Sequence, residues 1–150
     1  MKRIIIGSDH AGFRLKQSLK SYLLSLGFKV KDLGTHSLKR CDYPQIAYSL
    51  AYQVSSGNFS RGILICKSGI GNSIVANRLP GIRAALCYNT KAAKLSREHN
   101  DSNILVLGRA FVSDSQAKRI TRTWINTGFC GGRHKRRLNQ IKNIEKNIRR

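Results

Sequence analysis

The sequence has few acidic residues: seven Asp and Glu stand against 28 Lys and Arg, which gives a formal net charge of +21. So large an excess of cations attracts polyanions and is compatible with nucleic-acid binding. The cations are nevertheless spread along the chain, with one denser region, RHKRRLNQIKNIEKNIRR, at 133–150. This distribution favours a solvated basic surface and leaves a polyanion-binding protein as the alternative.

Long hydrophobic runs are also lacking. No stretch reaches the roughly 18 apolar residues that a membrane span requires. The opening MKRIIIGSDHAG has neither the apolar region nor the small-residue cleavage site of a signal peptide. We therefore expect a cytoplasmic protein with no membrane partner.

Clustered cysteines are missing as well. Cys41, Cys66, Cys87 and Cys130 show no C-x-x-C spacing and no grouping with histidine. This spacing argues against a zinc site and against a disulfide framework. We expect four free thiols and no bound metal.

What the sequence does contain is an alternation of short β-branched runs with helical patterns. Its 150 residues fit one domain, 1–150. Strands are predicted at 2–8, 28–34, 62–66, 82–87 and 103–108, and helices at 13–27, 44–57, 72–79, 89–100 and 113–128. This alternation indicates a doubly wound, Rossmann-like α/β fold with a five-stranded parallel sheet and helices on both faces.

A sixth, C-terminal amphipathic helix is predicted at about 132–148, after the pair Gly131-Gly132. Its apolar stripe comprises Leu138, Ile141, Ile144 and Ile148. No strand follows this helix, so the stripe must be buried against the helix's own domain or against a partner subunit.

A glycine-rich loop, CKSGIG at 66–71, joins the third strand to the helix after it. It is not a Walker A motif, and Ile74 occupies the third glycine position of a dinucleotide fingerprint. A loop that opens a helix presents unpaired N–H groups and can hold an oxyanion or a phosphate. The helix dipole and Lys67 should favour the thiolate of Cys66, which makes Cys66 a candidate base or nucleophile. The alternative is a buried thiol at a strand end.

Two further segments carry candidate polar groups. Arg133 and Arg137 are spaced to lie on one face of the last helix beside His134, as a clamp for a phosphate or as a solvated basic face. His99 ends a helix just before the fifth strand, and a single histidine there is either structural or catalytic.

Taken together, these segments resemble one known family. The motifs are Asp9-His10-Ala11-Gly12, Asp42-Tyr43-Pro44, Gly69-Ile70-Gly71 with Ala76-Asn77, Pro80-Gly81-Ile82-Arg83-Ala84, Ser96-Arg97-Glu98-His99-Asn100-Asp101, and Gly131-Gly132-Arg133-His134 with Arg137. Their order, from residue 3 to about 145, resembles ribose-5-phosphate isomerase type B, in the family that also holds galactose-6-phosphate isomerase subunits.

The resemblance implies an aldose–ketose isomerase of the pentose phosphate pathway. It would interconvert D-ribose 5-phosphate and D-ribulose 5-phosphate through a cis-enediolate, with no metal and no cofactor. By similarity, Cys66 is the base, Ser68 and the N–H groups of residues 67–71 stabilise the enediolate, and His99 opens the furanose ring.

The resemblance also implies the groups that hold the substrate and the oligomeric state. Asp9, Tyr43 and Asn100 match contacts to sugar hydroxyls; His10, Arg133 and Arg137, with His134 nearby, match the phosphate grip; and Lys67, Gly69, Ile70 and Gly71 lie on the loop. The site is shared across a homodimer, alone or within a dimer of dimers, with His99 and Asn100 supplied by the neighbouring chain.

Three features depart from the family's pattern. Lys67 stands where relatives commonly carry glycine, so a positive φ there would strain the backbone by about 1–3 kcal/mol. Arg109 stands one residue earlier than an arginine that relatives often carry after the fifth strand. The charge of +21 exceeds what the chemistry requires. A hexose 6-phosphate isomerase, for galactose or allose 6-phosphate, and a non-catalytic polyanion-binding protein on the same fold remain the alternatives.

Overall fold

Five strands and six helices alternate along the chain in the computed structural model, which describes residues 2–149. The strands are β1 (Arg3–Ser8), β2 (Lys29–Asp32), β3 (Gly62–Cys66), β4 (Ala84–Leu86) and β5 (Ile104–Gly108). The helices are α1 (Phe13–Ser25), α2 (Tyr43–Ser55), α3 (Ile70–Ala76), α4 (Thr90–Asn100), α5 (Asp114–Asn126) and α6 (Arg133–Ile148).

The strands form one parallel sheet in the order β2-β1-β3-β5-β4. Every residue of β3 and β5 is buried, as their continuous apolar sequences predict. The direction of winding reverses between β1 and β3, and in such sheets ligands bind outside the carboxyl ends of the strands at that point. The predicted fold class is confirmed.

Each face of the sheet carries its own hydrophobic core. On one face, leucines of α1 pack with Trp124 and Ile120 of α5. On the other face, Leu50 and Val54 of α2 pack with Ala76 of α3. Helices therefore cover both faces of the sheet. A site can open beyond the amino ends or beyond the carboxyl ends of the strands.

The boundaries of two predicted segments differ from those observed. The helix predicted at 72–79 is α3, Ile70–Ala76, because Gly69 takes a left-handed conformation (φ +83°) and the helix begins directly after it. The strand predicted at 82–87 is the shorter β4. There the Asn77 side chain accepts from the N–H of Ala84 and donates to its carbonyl, which fixes the start of the strand.

The C-terminal helix α6 leaves most of its apolar stripe uncovered. It is tied to the domain by the Glu145 carboxylate, which accepts from the N–H of Gly81 at 3.1 Å. Leu138 and Ile141 border a cavity of about 270 Å³, whereas Ile144 and Ile148 are 58% and 77% exposed. Within residues 2–149, nothing covers these two isoleucines.

All four cysteines are free thiols. Among residues 2–149, no helix is long and apolar enough to cross a bilayer. The same residues contain no group of three His, Cys, Asp or Glu side chains that could hold a metal ion.

Candidate active site

The candidate site opens at the carboxyl ends of β1 and β3. Strand register places Ser8 beside Ile65 and Cys66 beside Gly108, so β1, β3 and β5 end at the same edge of the sheet. Asp9 therefore follows β1 next to the thiol that ends β3. This is the switch point of the doubly wound sheet.

Close backbone packing fixes the loop that follows Cys66. The carbonyl of Cys66 accepts from the N–H of Arg109 at 2.9 Å, and that of Lys67 accepts from Ala110 at 2.8 Å. A Cβ at Gly108 would overlap the carbonyl oxygen of Ser68. Glycine at 108 thus permits the end of β5 to lie directly against the loop.

The positive φ that would strain Lys67 does not occur. Among the described residues, the only non-glycine residue with positive φ is Asp101, at +45°, so Lys67 has an ordinary backbone conformation. Gly69 makes the left-handed turn instead. The positive φ favours glycine at 69, and a Cβ there would also displace Leu86 Cδ1, which would lie 2.5 Å away.

The Cys66 side chain is almost fully buried, at 4% exposure. Its Sγ accepts a hydrogen bond from the N–H of Gly69 at 3.1 Å. Burial raises the pKa of the thiol, the negative charge of Asp9 also raises it, and hydrogen bonds from the backbone N–H groups of Gly69 and Asn72 offset only part of the rise. The predicted acidification is therefore wrong in direction, because desolvation of the strand end outweighs the helix start.

The thiol nevertheless opens onto a cavity of about 370 Å³. Seven of the predicted site residues line it, together with Ile74: Asp9, Tyr43, Cys66, Lys67, Ser68, Ile70 and Gly71. Gly69, the remaining residue of the loop, is buried and does not line the cavity. The Asp9 carboxylate is fixed by accepting from the N–H of Gly12 at 3.0 Å.

Contacts within the chain position Tyr43, which lines the cavity, and His10, which lies beside it. The ring of Tyr43 lies so close to Gly71 that a Cβ at that glycine would overlap it. His10 lies in the adjoining loop, with its Nδ1 3.1 Å from the carbonyl oxygen of Cys41. His10 thus anchors the segment that precedes α2.

Sequence reasoning missed one wall of the cavity. Ile74 is 52% exposed and lies one helical turn after Ile70 on α3. The i, i+4 spacing could have indicated that both isoleucines share a face. Tyr88 was also missed; its hydroxyl lies 3.5 Å from the carbonyl oxygen of Ser68, and its ring packs on Phe111.

The other predicted site residues form a second group, on α4 and α6. The rings of His99 and His134 stack with centroids 4.2 Å apart and planes 13° from parallel. The pKa of His134 lies below its ordinary value because of desolvation first, and then because of the positive charges of His99, Arg133 and Arg137. Asn100 is the last residue of α4. This group is cationic and suits an anion.

Within one chain the two groups do not meet. Asn100 lies shortly before Ile104, which begins β5, whereas Cys66 is paired with Gly108, which ends it. At about 3.3 Å per residue, the ends of β5 are roughly 13 Å apart. Among the described residues, the lining of the Cys66 cavity includes none of His99, Asn100, Arg133, His134 and Arg137. The expected phosphate grip of His10 with the two arginines is thus not assembled within a single chain.

A buried thiol, a carboxylate, a tyrosine and a serine around a cavity at the switch point define an α/β enzyme that acts on a small polar substrate. The family model described as Ribose/Galactose Isomerase matches residues 4–141. The chain belongs to the ribose/galactose isomerase family.

Individual relatives agree with this assignment. The chain is 44% identical to "Ribose-5-phosphate isomerase B" of Escherichia coli (strain K12), over 97% of each chain. It superposes on ribose-5-phosphate isomerase B of Clostridium thermocellum with a TM-score of 0.95 and 47% identity, covering 97% of this chain and 99% of that one. The Mycoplasma genitalium enzyme with bound ribulose-5-phosphate gives a TM-score of 0.93 and 38% identity, covering 96% of each.

The burial of Cys66 predicts its reactivity. At neutral pH we expect iodoacetamide to alkylate the exposed Cys130 at least about tenfold faster than Cys66, because the thiolate is the reactive form. The rate at Cys66 should then rise with pH, since its raised pKa keeps the thiol protonated near neutrality. Peptide mass spectrometry measures both rates in one sample. Preferential labelling of Cys66 at neutral pH would contradict this assignment.

Proposed function

We propose that the protein is a metal-independent aldose–ketose isomerase that interconverts D-ribose 5-phosphate and D-ribulose 5-phosphate. One observation carries the proposal: the Cys66 thiol lines a cavity with Asp9, Tyr43 and Ser68 at the switch point of the sheet. Relatives named as ribose-5-phosphate isomerase B cover nearly the whole chain. Residues 1–150 then form a single sugar-phosphate isomerase domain.

Cys66 acts as the base that moves a proton between C1 and C2 of the sugar. The thiolate takes the C2 proton of the open-chain aldose, and the electron pair becomes the double bond of the cis-enediolate. As that double bond forms, the C1 carbonyl pair moves onto O1, and the hydroxyl proton of O2 then passes to O1. The same sulfur returns its proton to C1, where the pair of the double bond takes it, while a pair on O2 forms the carbonyl of the ketose. Hydrogen bonds from Gly69 and Asn72 to Sγ favour the thiolate that burial disfavours.

The loop at 67–71 stabilises the negative charge that develops on the sugar oxygens. The Ser68 hydroxyl accepts from the N–H of Ile70 at 3.2 Å, which leaves its own hydrogen free for a substrate oxygen. Lys67 lines the cavity, is exposed, and has no acidic partner within residues 2–149. Among the described residues, Lys67 is the one lysine or arginine that lines this cavity, and its ammonium stabilises the same developing anion.

A homodimer completes the site. We propose that the partner supplies His99 and Asn100 for ring opening and for a sugar hydroxyl, and Arg133, Arg137 and His134 for the phosphate, opposite His10. Two features support this. Within one chain, the cationic group and the thiol lie towards opposite ends of the strands, and Ile144 and Ile148 are uncovered in the described part of the chain. A cytoplasmic location accords with four free thiols.

The direct test is an assay of the purified protein with ribose 5-phosphate in the presence of a metal chelator. We expect turnover whose kcat/KM rises with pH from neutrality towards the raised pKa of Cys66, because the base acts in its deprotonated form. Replacement Cys66→Ala should lower kcat about a thousandfold. Faster turnover of galactose or allose 6-phosphate would contradict the pentose assignment. A lack of turnover with any of the three would favour a non-catalytic polyanion-binding protein.

A shared site can be tested by complementation. Cys66→Ala and His99→Ala should each be inactive alone, but equal amounts mixed, unfolded and refolded should recover about a quarter of wild-type activity, since half of the dimers are mixed and each carries one intact site. Activity is measured as ribulose 5-phosphate formed per total chain. Refolding each variant separately is the control. A mixture that stays inactive while wild-type protein refolds would refute sharing.

The role of Lys67 predicts a charge-dependent loss. Lys67→Gln should lower kcat/KM for ribose 5-phosphate about tenfold, because it removes a charge-assisted interaction with the developing anion. Lys67→Arg should retain most of the activity. The matched control is Lys91→Gln, an exposed lysine of α4 that lies outside the cavity. Equal activity of Lys67→Gln and wild type would contradict this role.

A further inference from the structure

Most of the positive charge of the molecule is not used by the site or by ion pairs. Within residues 2–149, salt bridges engage only six cations: Lys16, Lys20, Arg83, Lys94, Arg97 and Arg149. The proposed chemistry uses three more. The remaining lysines and arginines far outnumber these, so the excess needs another explanation.

A groove lies at the amino-terminal edge of the sheet, at the opposite end of the strands from Cys66. It consists of two adjoining cavities of about 300 and 290 Å³ that share Lys2, Phe28 and Ile125. The first extends between the ends of α1 and α5, and the second extends below β1 to the start of β3.

Cations line this groove along its whole length, and no acidic residue lines it. They are Arg122 in the first cavity, Lys2 in both, and Arg3 and Arg61 in the second. Arg61 has a structural task, because its guanidinium donates to the carbonyl of Ile125 at 2.9 Å near the end of α5. Lys2, Arg3 and Arg122 are exposed and donate no side-chain hydrogen bond to the described chain. The Arg3 guanidinium lies over the Phe59 ring, 4.4 Å from its centroid, a contact that still leaves its N–H groups available to a phosphate.

The centre of the groove is apolar and aromatic. Phe28 is only partly buried and borders both cavities, with Leu26 beside it in the first and Ile4 in the second. A row of cations beside a partly exposed aromatic ring is the combination by which proteins hold a phosphodiester strand and stack an unpaired base.

We propose that this groove, lined by Lys2, Arg3, Phe28 and Arg122, binds single-stranded nucleic acid. The cations contact successive phosphates, and a base packs on the Phe28 ring. The groove is separate from the Cys66 cavity of the same chain, because it and Asp9 lie beyond opposite ends of β1, roughly 17 Å apart, and no residue assigned to the reaction lines it.

The test measures fluorescence anisotropy of labelled RNA and DNA strands of about 12 nucleotides with the full chain, between about 50 and 200 mM salt. We expect the logarithm of the binding constant to fall linearly with the logarithm of the salt concentration. The triple variant Lys2→Gln/Arg3→Gln/Arg122→Gln should bind at least about tenfold more weakly at low salt, with a slope smaller by about 2, because three phosphate contacts are lost. Comparison of the affinities for RNA and for DNA shows which kind of strand the groove prefers.

Three controls make the proposal falsifiable. The variant Lys91→Gln/Lys142→Gln/Lys146→Gln removes the same charge from exposed lysines outside the groove and should bind nearly as wild type. An abasic strand of equal length should bind more weakly than the normal one, and saturating ribose 5-phosphate should displace neither. Equal losses in both triple variants, equal affinity for the abasic strand, displacement by the sugar phosphate, or absence of binding at low salt would each overturn the proposal.

Discussion

The structure of the site depends on a backbone contact between two loops. The carbonyls of Cys66 and Lys67 accept hydrogen bonds from the segment that follows β5, and Gly108 lets the two segments approach without an intervening Cβ. This contact sets where β3 ends, where Gly69 turns and where α3 begins. The burial of the thiol, the direction of the Ser68 hydroxyl and the shape of the cavity all follow from it.

The fold could be predicted from the sequence because its signals are local. Apolar runs such as GILIC and ILVLG, each followed by a helical pattern, define buried parallel strands, and all of the predicted strands and helices are present. The pKa of Cys66 could not be predicted in this way. The helix start beside it is visible in the sequence, but the desolvation that outweighs it arises from neighbouring strands distant along the chain.

The site was predictable only in part, and for a related reason. The strand order brings the residues after β1 and β3 together, so Asp9, Cys66 and Ser68 meet as the carboxyl-end rule requires. The same rule says nothing about His99 or Arg133, since these lie on helices that reach the other edge of the sheet. The cationic group and the thiol are thus separated within one chain, so the proposed reaction depends on the proposed homodimer.

The uncovered stripe of α6 has a consequence for the proposed homodimer. Ile144 and Ile148 attract a partner only at contact distance, whereas chains that each carry +21 repel one another across the solvent. Dissolved ions shorten the reach of that repulsion and leave the apolar attraction almost unchanged. In the proposed homodimer, subunit pairing should therefore be weakest in dilute buffer and should tighten as ionic strength rises, so dissolved counterions would take part in setting the oligomeric state.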